Sequence, residues 1–211
     1  MAIAVDKEAR AKINLSLLVT GRKPDGFHTL DSIVFFVSFC DRLSYRIAKE
    51  LSLEISGPFG DPLANGRNNL IIQAAEAFKN KCQLNMGVTI RLEKNIPVSA
   101  GLGGGSANAA TTLLALNELY QTGLSRASLA EIGLTIGADV PVCLFDETAR
   151  VQGIGEKIQP FFFPHKFGVV LVNPQVPIST ARVFSRFNAG FSEVMSAATL
   201  SELTAMQNFS S

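Results

Sequence analysis

Between Pro97 and Ala110 the chain reads Pro-Val-Ser-Ala-Gly-Leu-Gly-Gly-Gly-Ser-Ala-Asn-Ala-Ala, with Gly101, Gly103, Gly104 and Gly105 inside five positions. Glycines this dense let backbone N–H groups approach a ligand closely and adopt φ > 0, and an anionic phosphate is the usual occupant of such a cradle. A flexible hinge or a tight helix-packing turn is the plainer alternative. Two common phosphate loops do not fit. A Walker A loop needs a Lys after its glycines and none follows here, while the dinucleotide fingerprint starts at Gly101 and Gly103 but meets Ser106 where its third glycine belongs. The connection from Lys94 to the following helix is also too long for that turn. What remains is a loop ending in Ser106, whose hydroxyl can cap a helix and face a phosphate or its magnesium ion.

Three more polar residues stand where apolar packing or a plain turn is expected: Lys12 in Ala-Lys-Ile-Asn-Leu, Asp139 in Gly-Ala-Asp-Val-Pro-Val-Cys-Leu, and His28 after Gly26-Phe27. Each has an ordinary explanation. A strand lysine is most often solvated, an acid in an apolar stretch is either partnered or a helix N-cap, and a loop histidine is usually surface.

These residues need elements to hold them. Residues 9–19 alternate through Ile13, Leu15 and Leu17, predicting a strand with Lys12, Asn14 and Ser16 on its other face. The Pro-Asp-Gly of Arg22–Gly26 turns the chain into a strand over 30–39, and short strands follow over 42–48 and 51–56, stopped by Gly57-Pro58. This first part is antiparallel β, and the loop 57–67, with Pro58, Gly60, Pro62 and Gly66, is expected to be exposed. Asn68 or Asn69 can cap a helix to about Lys81, with Leu70, Ile71, Ala74, Ala75 and Phe78 on one face. A strand over 88–92 leads into the glycine loop, and a buried Ala- and Leu-rich helix over 109–119 leads out of it. Ser125, or Ser128 with Glu131, can cap the next helix, which ends near Gly137. Strands are predicted over 149–158, with a Gly-Ile-Gly interruption, and over 168–172. Ser179 or Thr180 caps a helix through Phe187, and residues 199–208 form a last amphipathic one.

With 211 residues, 47% hydrophobic and 18% charged, the chain can bury a substantial core as one large or two small domains. A net charge of +1, spread evenly, argues against nucleic acid or an anionic membrane as partner. Cys40, Cys82 and Cys143 lie far apart in apolar sequence without metal-ligand spacing, so they read as free thiols of a reducing compartment. The N-terminus lacks a basic segment followed by a long apolar run, which argues against secretion and membrane insertion; the cytoplasm is the expected location.

Taken in order, Ala11-Lys-Ile-Asn-Leu15, Asp25-Gly-Phe-His-Thr-Leu30, Asn69-Leu70-Ile71, Pro97–Ala110 and Gly137-Ala-Asp-Val-Pro141 resemble the motifs of the GHMP kinase superfamily across essentially the whole chain. The resemblance implies an α+β fold, with an antiparallel or mixed sheet and helices. Residues 1–172 would be the N-terminal ATP-binding and catalytic domain, and 173–211 the start of a second, C-terminal domain largely missing from this chain. It implies phosphoryl transfer from ATP, with Mg2+, to the 2-hydroxyl of the erythritol branch of a CDP-linked methylerythritol, on the non-mevalonate route to isoprenoid precursors. Asp139 then resembles the base that takes the hydroxyl proton, and Lys12 the partner that holds it ionised and orients the acceptor.

Pro97, Val98, Ser99, Ala100, Gly101, Leu102, Gly103, Gly104, Gly105, Ser106 and Ala107 would wrap the ATP phosphates, and Asn69 and Lys94 would line the adenosine side. No residue is assigned as a dedicated metal ligand. Asn14, Phe27 and His28 match substrate-side positions, with Thr180 and Phe184 as the second wall of a cytidine pocket in which two rings stack on the base and His28 reads its edge.

Phe27 stands where relatives commonly carry Tyr, and Ala107 where a second Ser is usual. Relatives also continue past the position of Ser211 into a domain with another glycine-rich motif. Self-association through an exposed domain interface is therefore expected. Two further readings stay open: a nucleotide-binding fragment without turnover, or a superfamily kinase acting on a sugar or homoserine-like alcohol. A dehydrogenase is disfavoured by Ser106.

Overall fold

The computed structural model describes residues 4–63, 69–85, 87–164, 166–174, 176 and 180–205, without the side chains of Pro62, Thr180 and Ala181. Its organising element is a long strand, β2 (His28–Ala48), which pairs antiparallel along its length with β1 (Ala4–Arg22). On its other edge it pairs with β4 (Gly87–Glu93) and β5 (Ala149–Gly153), both antiparallel. β3 (Ser52–Ser56) adds parallel to β4, and β6 (Lys157–Pro160) adds antiparallel to β5. The sheet is therefore mixed, of six strands, as the α+β expectation requires.

The turn between β1 and β2 is closed as its Pro-Asp-Gly predicts. Asp25 Oδ1 accepts from Phe27 N at 3.1 Å, and Gly26 takes φ +91°. The separate strands expected over 30–39 and 42–48 are one. The pairing with β1 shifts register between Arg10 and Lys12, so the strand bulges around 37–39 rather than ending. Asp41, between the two expected strands, is fully buried and accepts from the backbone N–H groups of Asn95 and Ile96 just past β4.

One face of the sheet carries α1 (Leu70–Cys82), α2 (Gly104–Leu119), α3 (Arg126–Ile136) and the short α4 (Val140–Phe145). Between them lies the core, with Tyr45, Phe78, Ile90, Leu92, Leu113 and Leu116 almost fully enclosed. The Tyr45 hydroxyl is paired with Thr112 Oγ1 at 3.0 Å, which satisfies the polar end of the largest of these side chains. Asn69 caps α1 by accepting from Ile71 N at 2.9 Å, and Ser125 rather than Ser128 caps α3. The alternative cap Asn68 lies outside the described residues, as do residues 64–67 of the loop before it.

Later in the chain the structure departs from expectation. Residues 149–158 form a hairpin, because Gly153 (φ +73°) and Gly155 (φ +117°) turn the chain back where one interrupted strand was expected. Residues 168–172 are not a strand: no ladder partner lies beside them among the described residues, and Val170 and Val172 are 88% and 87% exposed. The helix expected up to Phe187 is α5 (Thr180–Ser185); its candidate cap Ser179, and the Thr180 side chain, lie outside the described residues. α6 (Ala197–Ala205) answers to the last expected helix, whose end falls outside them.

Candidate active site

The glycine loop runs from the end of β4 to the start of α2. Ser99, Gly101 and Gly103 have φ of +56°, +74° and +65°, alternating with Ala100 and Leu102. Alternation of this kind turns successive N–H groups toward one side, making a concave seat for an anion. A Cβ on Gly101 would meet nothing within 4 Å, so this part of the loop borders open space. α2 begins at Gly104 with Gly103 as its cap and no side-chain capping bond. Ser106 is therefore not the cap. It sits in the first turn, where it stands with Gly104 and Gly105 as residues whose N–H groups have no partner inside a helix. Ala107 N already donates to Gly103 O at 2.8 Å and its methyl is buried in the core, so Ala107 is a wall rather than a donor.

Lys12 ties this loop to the sheet. Its backbone N–H donates to Leu102 O at 2.9 Å, and its stem lies under Gly103, where an added Cβ would stand 3.2 Å from Lys12 Cβ and 3.3 Å from Cε. The ammonium, on a side chain only 7% exposed, meets Asp139 Oδ2 at 3.1 Å and donates to Asn14 Oδ1 at 3.3 Å. Asp139 precedes α4 in the N-cap position but makes no capping bond; its carboxylate is turned to Lys12 and is 47% exposed. The choice the sequence left between cap and partner falls to the partner. α4 is held to β1 at both ends, since Arg10 bonds Asp146 Oδ1 at 3.1 Å and Asp146 O at 2.6 Å. Cys143, buried beside the pair, has its thiol pushed up by burial, with Asp139 adding to the effect and Lys12 opposing it. It is thus protonated and inert at neutral pH.

From Lys12 a polar chain runs toward the β1–β2 turn. Asn14 Nδ2 donates to Ser32 Oγ at 2.7 Å, and Ser32 Oγ donates to Ser16 O at 2.6 Å. Beyond it, His28 stacks on Phe184 (centroids 5.3 Å, 23° between planes) and meets Phe187 edge-on at 5.6 Å. The gap between His28 and Phe184 is a single stacking distance, so a base would have to enter beside this pair rather than between its rings. Phe27 is 60% exposed at the rim.

Lys94 is placed differently from a free wall of the adenosine side. Its ammonium is buried in an ion pair with Asp41, and a Cβ on Gly104 would lie 3.1 Å from Nζ. Burial lowers the Lys94 pKa, with Asp41 opposing it in part. Asp41 Oδ1 also accepts from both Asn95 N and Ile96 N at 2.7 Å. Sequence reasoning missed Asp41, and likewise Asp31 with its partner Arg150. The signal existed, since both acids interrupt apolar strand sequence as Asp139 interrupts its own stretch. Asn69 begins α1 beside this loop: a Cβ on Gly105 would lie 3.3 Å from Leu70 Cδ1.

A cradle of backbone N–H groups, a helix start and a lysine–aspartate pair joined through Leu102 and Gly103 define a class. Residues 69–147 match the family described as GHMP kinases N terminal domain, and the chain carries that domain. Within the class, the chain is similar over most of its length to 4-diphosphocytidyl-2-C-methyl-D-erythritol kinases. The Rhizobium etli (strain CIAT 652) protein of that name is 44% identical over 189 residues, covering 89% of this chain and 64% of the relative. A crystal structure of 4-(cytidine 5'-diphospho)-2C-methyl-D-erythritol kinase aligns at 39% identity and TM-score 0.64, over 76% of this chain and 56% of that one. A crystal structure of L. major mevalonate kinase in complex with R-mevalonate aligns with TM-score 0.66 at 15% identity, over 87% of this chain and 60% of that one, and shows the fold alone. The chain spans just under two thirds of the length of the curated relatives it matches, 64% for the Rhizobium protein. No helix among the described residues is long and apolar enough to cross a membrane.

Proposed function

We propose that the protein transfers the γ-phosphoryl group of ATP to the 2-hydroxyl of 4-diphosphocytidyl-2-C-methyl-D-erythritol, in the non-mevalonate supply of isoprenoid precursors. The observation that carries this reading is the Lys12–Asp139 contact of 3.1 Å, held against the glycine loop by the bond from Lys12 N to Leu102 O. The relatives' names supply the acceptor. Residues 1–172 act as the nucleotide-binding and catalytic part, with 173–211 beginning a second domain.

The residues divide the work as phosphoryl transfer requires, by positioning and by charge. The loop 97–106 turns N–H groups toward the phosphates, with those of Gly104, Gly105 and Ser106 at the positive end of α2. Asp139 accepts the proton of the attacking hydroxyl as its oxygen bonds to the γ-phosphorus and ADP departs. Lys12 holds Asp139 in place and lies where charge develops on the transferring group. Asn14, bridging Lys12 to Ser32, orients the acceptor, and His28 with Phe27 and Phe184 receives the cytosine.

Magnesium would neutralise phosphate charge. The ion would be carried chiefly by the nucleotide phosphates and water, with the Ser106 hydroxyl beside it in the first turn of α2.

The test is phosphorus NMR of the protein with ATP, magnesium and one acceptor at a time. A new phosphomonoester signal from the CDP-linked polyol, and none from mevalonate or homoserine, is expected. Turnover of either simple alcohol in preference to the CDP-linked polyol would overturn the assignment.

A further inference from the structure

Strand β2 presents alternate residues to opposite faces of the sheet. Val34 faces the helices and belongs to the core, so Asp31 points to the other face, where it is fully buried. There it meets Arg150 of β5 in a two-point contact, Nε to Oδ1 at 2.8 Å and Nη2 to Oδ2 at 2.6 Å. The pair closes on the backbone of a single residue from far along the chain. Met195 N donates to Asp31 Oδ2 at 2.8 Å, and Arg150 Nη2 donates to Met195 O at 2.8 Å. Both polar backbone groups of one residue are thus gripped by an acid and a base that also grip each other. The Met195 side chain is buried against β1, with Ser16 Oγ 3.6 Å from its sulfur.

The residues leading to this clasp carry the aromatic wall. Phe184 stacks on His28, Phe187 meets His28 edge-on and stacks on Phe191 at 6.2 Å, and Ser192 N then donates to Val19 O at 2.8 Å. Val183, Phe191 and Val194 are all largely exposed, so apolar burial is a weak anchor for this stretch. Charge-assisted bonds in a buried setting are strong ones, and Met195 takes part in two of them.

We infer that Asp31 and Arg150 are positioning residues for the base pocket: by gripping the Met195 backbone they fix Phe184 and Phe187 on His28. The assignment of that aromatic cluster to the cytosine rests on the proposed function; the clasp itself does not.

The experiment reads His28 directly. The chain has two histidines, so the ring-proton resonances of His28 are assigned by comparison with His28→Gln. Stacking on Phe184 should shift them upfield, and Phe184→Leu gives their position without that ring. Asp31→Asn with Arg150→Gln removes both charges together, leaving no lone buried ion. The double variant is expected to move the His28 signals to the Phe184→Leu position and to speed exchange of the Met195 amide. Should it fail to fold, Met195→Pro removes the donor while keeping the ion pair, and the same shift is expected. His28 signals unchanged in a folded variant of either kind would overturn the inference. A second arm titrates cytidine diphosphate, whose affinity should fall roughly tenfold in the double variant, the scale of one charged hydrogen bond. A parent protein that shows the His28 shift but binds no cytidine diphosphate would refute the pocket assignment while leaving the clasp intact.

Discussion

Gly103 and the stem of Lys12 share one small space, and the site's geometry turns on that contact. A Cβ on Gly103 would stand 3.2 Å from Lys12 Cβ at a residue whose φ is +65°. A larger residue there must both strain the backbone and push the lysine away from Asp139. Gly103→Val is therefore expected to weaken binding of a non-hydrolysable ATP analogue strongly, read by titration calorimetry on a variant shown to be folded. Unchanged affinity would remove the loop from the nucleotide site. At this scale much was legible in the sequence: an acid amid apolar residues had to be partnered, and Asp139 is. The partner's identity came from the motif pattern, because a lysine on an alternating strand carries no sign that a glycine loop will cover its stem. Asp41 went unread since its three partners, Lys94, Asn95 and Ile96, are brought to it only by the pairing of β2 with β4.

Elements were read well where a cap or turn residue marked their ends, as Asn69, Ser125 and Pro-Asp-Gly do. They were read less well where tertiary pairing decides. β2 continues through Asp41 because the segment that follows β4 supplies that carboxylate with donors, and 168–172 lacks a ladder partner among the described residues despite its β-rich composition. Two predictions belong here. The Asp41–Lys94 pair fastens β2 to the segment that follows β4, beneath Gly104. Asp41→Asn should cost about 3–5 kcal/mol of unfolding free energy in urea, the usual cost of leaving one buried charge unpaired. Asp41→Leu with Lys94→Met should cost less than that single change; the reverse order would show the pair to be peripheral to the loop.

The second concerns acid. Burial by itself would raise the Asp31 carboxyl, but hydrogen bonds from Arg150 and from Met195 N, with the Arg150 charge, outweigh it and hold the group below its usual 3.8. A carboxyl held low in the folded state stabilises above its unfolded pKa and loses that contribution as pH falls through the folded value. The stability difference between the parent and Asp31→Asn should hold at neutral pH and shrink below about pH 4. A difference independent of pH would mean that the charge contributes nothing.

On the scale of the molecule, a buried core under the helices contrasts with the later part of the chain. Phe162, Val170, Val172, Val183, Phe191 and Val194 are exposed, and apolar side chains gain free energy when a partner removes them from water. Concentration-dependent self-association is expected by analytical ultracentrifugation, weakened by Val170→Lys with Val172→Lys; a monomer at all concentrations would assign no such role to this surface. Nothing in the sequence pattern distinguished these residues from core, because alternation reports only that one face of a segment is apolar, not what covers it.

The central claim is that Lys12 and Asp139 act as one unit on the transferring phosphoryl group, and a double-mutant cycle on turnover with ATP and the CDP-linked polyol tests it most directly. Asp139→Asn should lower turnover by about 10²–10⁴-fold while ATP-analogue affinity stays broadly intact. Lys12→Ala should act on the same step, so the double variant should lose less than the product of the two single losses. Losses that multiply cleanly, or an Asp139→Asn protein that turns over normally, would contradict the account.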